Sequence, residues 1–228
     1  MKITKLISCL LALVCAASIM VACDIEGLGN KEPETPAEYY TYACDYMLSH
    51  PYKQTTVTTV TMDNYDMDET SSTSVTYMDG NNYYQSESGM TTTFYDGTMY
   101  VDYLGRKRKA EIDLEELGES FGLSEDYFGM AKDSITDESI KLTENADGTK
   151  TLEFEITLPV VGATKYVMTL DASNRVVCYT LTMSMSVMGY TYVTVEECTI
   201  EYGEQYKVTP PEDADEYELV DSYMDLVM

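Results

Sequence analysis

The sequence predicts an α+β chain that is mostly antiparallel β. About eleven strands form a half-open barrel, with an N-terminal helix before them and two short helices covering the mouth. Three observations carry this expectation. Apolar residues recur at helical spacing between Thr35 and His50. From Lys53 onward the period falls to two, with turn signals between short runs. The alternation breaks once, near 113–131, and then resumes. An antiparallel sheet of that size has to curl or close to protect its edges.

Each element has its own signal. Thr35-Pro36-Ala37-Glu38 is a capping box with proline at the first helical position. Tyr40, Ala43, Cys44, Met47 and Leu48 then share one helix face, and His50-Pro51 ends it, because a residue before proline avoids the α region. Lys53–Met62 and Thr70–Met78 are Thr- and Val-rich strands. Asp79-Gly80-Asn81-Asn82, Ser88-Gly89 and Asp96-Gly97 separate Tyr83–Glu87, Met90–Tyr95 and Thr98–Leu104, and Gly105 leads into Arg106–Ile112. Asp113 opens a helical stretch and Ser124–Ala131 a second. Strands return at Glu138–Glu144, Thr151–Leu158, Thr164–Leu170, Arg175–Val187 and Tyr190–Tyr202. Leu152, Phe154, Ile156 and Leu158 alternate with Glu153, Glu155 and Thr157, so one face is buried and the other wet.

Composition removes several functions. The 228 residues include 40 acidic and 14 basic side chains, for a formal charge of −26. Such a chain repels nucleic-acid phosphates instead of releasing their counterions. There is one histidine, His50, and no Cys/His cluster or CxxC, so neither a zinc site nor a cofactor is expected. Gly118-Glu119-Ser120-Phe121-Gly122 matches GxSxG, but a helical stretch precedes Ser120 and no histidine follows it. Asp63, Asp66, Asp68 and Glu69 lack the glycine and distal glutamate of a calcium loop. The expectation is a protein that is not an enzyme.

Residues 1–22 read as an export signal: Lys2 and Lys5, then a charge-free run from Leu6 to Ala22. Met20-Val21-Ala22-Cys23 places a small residue before a cysteine and is similar to the bacterial lipobox, which makes Cys23 the lipidation site. The alternative is an uncleaved anchor. Residues 23–35 then form a polar tether, 36–221 the barrel domain and 222–228 a tail. The localisation expected is extracytoplasmic, lipid-anchored to the cell membrane. Of the remaining cysteines, Cys178 and Cys198 are candidates for a disulfide if Leu181, Met183 and Met185 share a face with Val193 and Val195; two free thiols are the alternative.

The element order, the lipobox, the Phe94-Tyr95-Asp96-Gly97-Thr98-Met99-Tyr100 hairpin and the exit at Tyr206-Lys207-Val208-Thr209-Pro210-Pro211 together resemble the LolA/LolB-like lipoprotein-carrier superfamily, including its LppX/LprG-like lipid-carrying members. The resemblance covers about Thr35 to Leu219 and implies an eleven-stranded half-barrel plugged by helices. It carries over no site residue. The strand faces themselves supply candidates: Met99, Val101, Phe154, Ile156, Leu158, Met168, Leu181, Met183, Met185 and Val193 as a wall for a lipid or other hydrophobic ligand, with flexible methionines suited to variable acyl chains. Against this stands a barrel filled by the same side chains, acting as an envelope scaffold or sensor through a protein partner. Arg106, Lys107, Arg108 and Lys109 either protect a sheet edge or touch anionic headgroups of the membrane. A monomer is expected.

Overall fold

The computed structural model describes residues 32–63, 70–112, 135–158, 162–187, 190–222 and 225–226. Helix α1 spans Pro36–Ser49. Its capping box forms as the sequence requires: the Thr35 hydroxyl accepts from Glu38 N at 3.3 Å, and the Glu38 carboxylate accepts from Thr35 N at 3.1 Å. The helix ends at His50, whose Nδ1 lies 3.0 Å from the Tyr46 carbonyl and whose ring stacks on Tyr46 at 3.9 Å.

Twelve strands follow: β1 Tyr52–Asp63, β2 Thr70–Asp79, β3 Asn82–Glu87, β4 Met90–Tyr95, β5 Thr98–Tyr103, β6 Arg106–Glu111, β7 Lys141–Glu144, β8 Lys150–Leu158, β9 Gly162–Leu170, β10 Val176–Val187, β11 Tyr190–Tyr202 and β12 Glu218–Leu219. They form one sheet in the order β12-β6-β5-β4-β3-β2-β1-β11-β10-β9-β8-β7. Two meanders therefore meet where β1 pairs antiparallel with β11. The sheet is open, since β12 and β7 are its two ends. This is the mostly antiparallel half-barrel expected, with one strand more. The two short helices expected near 113–131 lie outside the described residues, as do Ser120 and most of the acidic run at 63–69.

The tight hairpins explain the first meander. At Leu104-Gly105 both residues adopt positive φ, 53° and 82°, as a two-residue type I′ turn demands. Leucine is an unusual choice there, and Leu104 is 74% exposed.

The register of β10 on β11 corrects one expectation. Val187 faces Tyr190, so Cys178 faces Thr199 and Tyr179 faces Cys198. Cys178 and Cys198 thus point to opposite faces and are both free thiols, as is Cys44. The same offset turns Val193 and Val195 outward and puts Thr194, Glu196, Cys198 and Ile200 on the inner face. Pairing the valines with Leu181 and Met183 by hydropathy misses the register, in which Leu181 faces Glu196 and Met183 faces Thr194.

Two apolar clusters form on the inner face. The larger joins Tyr40, Ala43, Cys44 and Met47 of α1 to Leu152, Phe154, Ile156, Tyr166, Met168, Leu181 and Met183 of β8, β9 and β10. The smaller holds Phe94, Met99, Val101, Ala110 and Leu226. Leu226 is 3% exposed and packs in the smaller cluster. Between the clusters, the inner positions of β1, β2 and β3 carry Gln54, Thr56, Thr58, Ser72, Ser74, Thr76 and Gln85.

The C-terminal segment wraps the β6 edge. Glu218 and Leu219 pair in parallel with Arg108 and Lys109, and Val220 N donates to the Lys109 carbonyl at 2.9 Å. Lys107 reaches Asp213 at 2.5 Å and Glu216 at 2.8 Å, Lys109 donates to the Ala214 carbonyl at 2.8 Å, and Arg108 donates to the Asp225 carbonyl at 2.5 Å. The basic strand is not the sheet's edge, because β12 lies outside it, and the chain's own acidic segment engages Lys107, Arg108 and Lys109.

Candidate functional site

The inner face of β8–β11 presents the most coherent group of candidate residues. Across the strands, Phe154 faces Tyr166, Tyr166 faces Leu181, and Leu181 faces Glu196. One row along, Ile156 faces Thr164, Thr164 faces Met183, and Met183 faces Thr194. Leu152, Met168, Tyr179 and Cys198 make a third row. Phe154 stacks on Tyr166 with centroids 5.0 Å apart, and Tyr40 of α1 meets Phe154 edge-on at 5.0 Å. The helix therefore lies on this wall and the aromatic triplet fastens it.

Five of the expected wall residues meet here: Phe154, Ile156, Met168, Leu181 and Met183, each between 1% and 5% exposed. Met185 continues the same face beside Tyr192 and is half-buried. Met99 and Val101 are equally buried but belong to the smaller cluster, on the other side of the β1–β11 seam. Val193 is on the outer face, and the Leu158 side chain lies outside the described residues. One patch containing all ten side chains does not form, because a wide sheet separates β5 from β8.

The wall also holds polar groups that alternation does not reveal. Glu196 is 4% exposed and Thr194 6%. Cys198 Sγ lies 3.4 Å from Thr56 Oγ1, and burial pushes its thiol up to about 11 despite hydrogen bonds from Thr56 and Tyr179. Thr164 is fully buried, and among the described residues its hydroxyl has no hydrogen-bond partner. An unpaired buried hydroxyl costs about 1–3 kcal/mol. What places these residues is the β10–β11 register, with Val187 facing Tyr190, which sets the parity of β11 that faces inward.

The larger described hollow, about 530 Å³, is elsewhere, lined by Arg108, Glu218, Leu219, Val220, Asp221 and Asp225 at the wrapped edge. A smaller one of about 160 Å³ sits on α1 between Tyr42, Asp45, Tyr46 and Ser49. Neither is lined by the expected wall. Among the described residues no group of His, Cys, Asp and Glu is placed to hold a metal ion, and no helix is long and apolar enough to cross a membrane. Of the basic strand, Arg106 remains exposed, beside Tyr103 and Leu104 at 38% and 74% exposure.

No protein-family model matches the sequence, and no curated protein matches it. Solved structures that match include the LolA superfamily protein NE2245 from Nitrosomonas europaea, at 10% identity and a TM-score of 0.34, over 77% of this chain and 100% of that one. LprF from Mycobacterium bovis matches at 13% identity and a TM-score of 0.39, over 81% of this chain and 99% of that one. A DUF1329 family protein from Desulfovibrio piger matches at 13% and 0.31, over 74% and 92%.

Proposed function

We propose that this protein is an extracytoplasmic bacterial lipoprotein, held at the membrane through Cys23, that takes up an acyl chain or other hydrophobic ligand against the inner wall of β8–β10. The contiguity of Phe154, Ile156, Met168, Leu181 and Met183 on neighbouring strands is the observation that supports it. Two of the five are methionines, whose unbranched side chains repack around differing chains at low cost. Binding is passive burial of apolar area, about 25 cal/mol per Å² removed from water, and calls for neither a catalytic group nor a cofactor. The polar stretch from Asp24 to Thr35 gives the domain reach from its anchor. Arg106, exposed next to Tyr103 and Leu104, is the residue of the basic strand that would meet headgroups.

One observation favours a second reading. The wall residues are already 1–5% exposed with α1 seated on them, so a filled barrel that presents loops to an envelope protein satisfies the same packing. Native mass spectrometry of the full chain released from detergent micelles separates the two. A stoichiometric lipid on the wild type that is lost in Met183→Trp and Phe154→Asp supports the carrier. A bare mass that stays unshifted after lipid addition supports the filled barrel. The same spectra report whether the chain begins at Cys23 with a diacylglycerol adduct.

A further inference from the structure

Thr164 is the anomaly of the wall. It sits on the inner face of β9, between Ile156 and Met183 in the register, with Tyr166 next along the strand. It is 0% exposed, and its Oγ1 has no hydrogen-bond partner among the described residues. Buried hydroxyls are almost always paired, and one that is not calls for an explanation. Valine has the same shape and forms strands as well, so neither packing nor propensity requires a hydroxyl here.

We infer that Thr164 is a ligand-binding residue whose hydroxyl donates to a carbonyl oxygen on an otherwise apolar ligand, the ester carbonyl where an acyl chain meets its headgroup. This rests on the carrier reading above. The surroundings give the ligand a direction. Beyond Thr164, through Tyr166 and Phe154 to Leu152 and Met168, the wall is apolar and suits the hydrocarbon. Across the strands, past Met183, comes Thr194, with Glu196 next along the inner face of β11 at the end of the Phe154–Tyr166–Leu181 row; both are buried, so polar atoms are tolerated on the β11 side. Met183 lies between Thr164 and Thr194, and the swing of its flexible side chain opens the hydroxyl to an incoming carbonyl. A hydroxyl partner in a dry wall selects for the atom it pairs with, because a ligand lacking that acceptor leaves the hydroxyl orphaned as before.

The test compares two lipids of equal chain length, diacyl phosphatidylglycerol and its dialkyl ether analogue, which lacks the carbonyls. Each is titrated into the full chain by native mass spectrometry. The wild type is expected to bind the ester about five- to tenfold more tightly than the ether, the worth of one hydrogen bond. Thr164→Val is expected to bind both with the affinity of the ether, and Thr164→Ser to keep the preference. Thr164→Val also removes an unpaired hydroxyl, so its ligand-free melting temperature should rise by about 2–4 °C, which guards against misfolding as the cause of lost binding. Tyr202→Phe is the control: the Tyr202 hydroxyl is likewise buried and unpartnered, but the residue packs against Tyr46 and Tyr52, and its removal should leave the ester preference intact. An equal ester preference in Thr164→Val and wild type overturns the inference and leaves the carrier reading standing. Binding of neither lipid by the wild type overturns both.

Discussion

The two halves of the sheet are built from the same hairpins but held together differently. The half from β7 to β11 is closed by a helix: α1 lays Tyr40, Ala43, Cys44 and Met47 onto a broad apolar face. The half from β2 to β6 has no such cover among the described residues and gathers a cluster of five buried side chains. Its edge is closed by an acidic chain end that engages Lys107 and Lys109 on one face and Arg108 on the other. Tyrosines finish the outer surface there, with Tyr77 against Tyr84 and Tyr206, and Tyr100 against Tyr217. One half is stabilised by burial, which is insensitive to salt. The other relies in part on exposed charge pairs, which salt screens.

The largest expected consequence is in unfolding. Phe154→Ala removes the ring that joins Tyr40 to Tyr166 and should cost about 3–5 kcal/mol in urea melts. Met99→Ala, in the smaller cluster, should cost about 2 kcal/mol. Equal losses would break the comparison. Leu226→Ala should be next, costing up to about 2 kcal/mol and raising hydrogen exchange in β6 while leaving β8–β10 protected. Equal deprotection of both halves would mean that they open as one unit.

The cysteines give a kinetic version of the same contrast. Cys198 is buried with its thiol pushed up to about 11, so at pH 8 it should resist iodoacetamide until the β10–β11 region opens. Cys178, half-buried on the outer face, should be alkylated first, as peptide mass mapping would report. A disulfide-linked Cys178–Cys198 peptide from the native protein would contradict the register.

The smallest effect is pH-dependent. Lys107 holds the Asp213 carboxyl below its ordinary value. A carboxyl depressed in the folded state contributes above its unfolded pKa, and the contribution fades as pH falls through the folded value. The contact should therefore persist from neutral pH down to about 4 and loosen below it. Amide exchange at β12 and β6 should rise in that window before exchange at β8–β10 does. Glu153, lowered by Lys141, titrates the same way on the other half, where buried packing keeps the strands closed.

Much of this architecture was legible in the sequence, for identifiable reasons. Thr35-Pro36-Ala37-Glu38 encodes a helix start locally, and it forms as written. The hairpins of the first meander follow from their turn residues. The β10–β11 register did not emerge from hydropathy, because Val193 and Val195 are apolar on the outer face and Glu196 is charged on the inner one. The twelfth strand was not legible for a related reason: Glu218-Leu219 is too short to show a period, and its pairing with Arg108-Lys109 spans more than a hundred residues. The candidate wall was half legible. Alternation in β8 and β9 identified Phe154, Ile156 and Met168, but nothing local could reveal that Met99 and Val101 belong to a separate cluster or that Thr164 lacks a partner.

The most direct test of the central claim is hydrogen–deuterium exchange of the full chain, with and without diacyl phosphatidylglycerol. If the ligand lies on the wall of β8–β10, added lipid should protect the amides of α1, β8, β9 and β10 and leave β4–β6 unchanged. Exchange that is unaltered throughout, or protection confined to β4–β6, would contradict it.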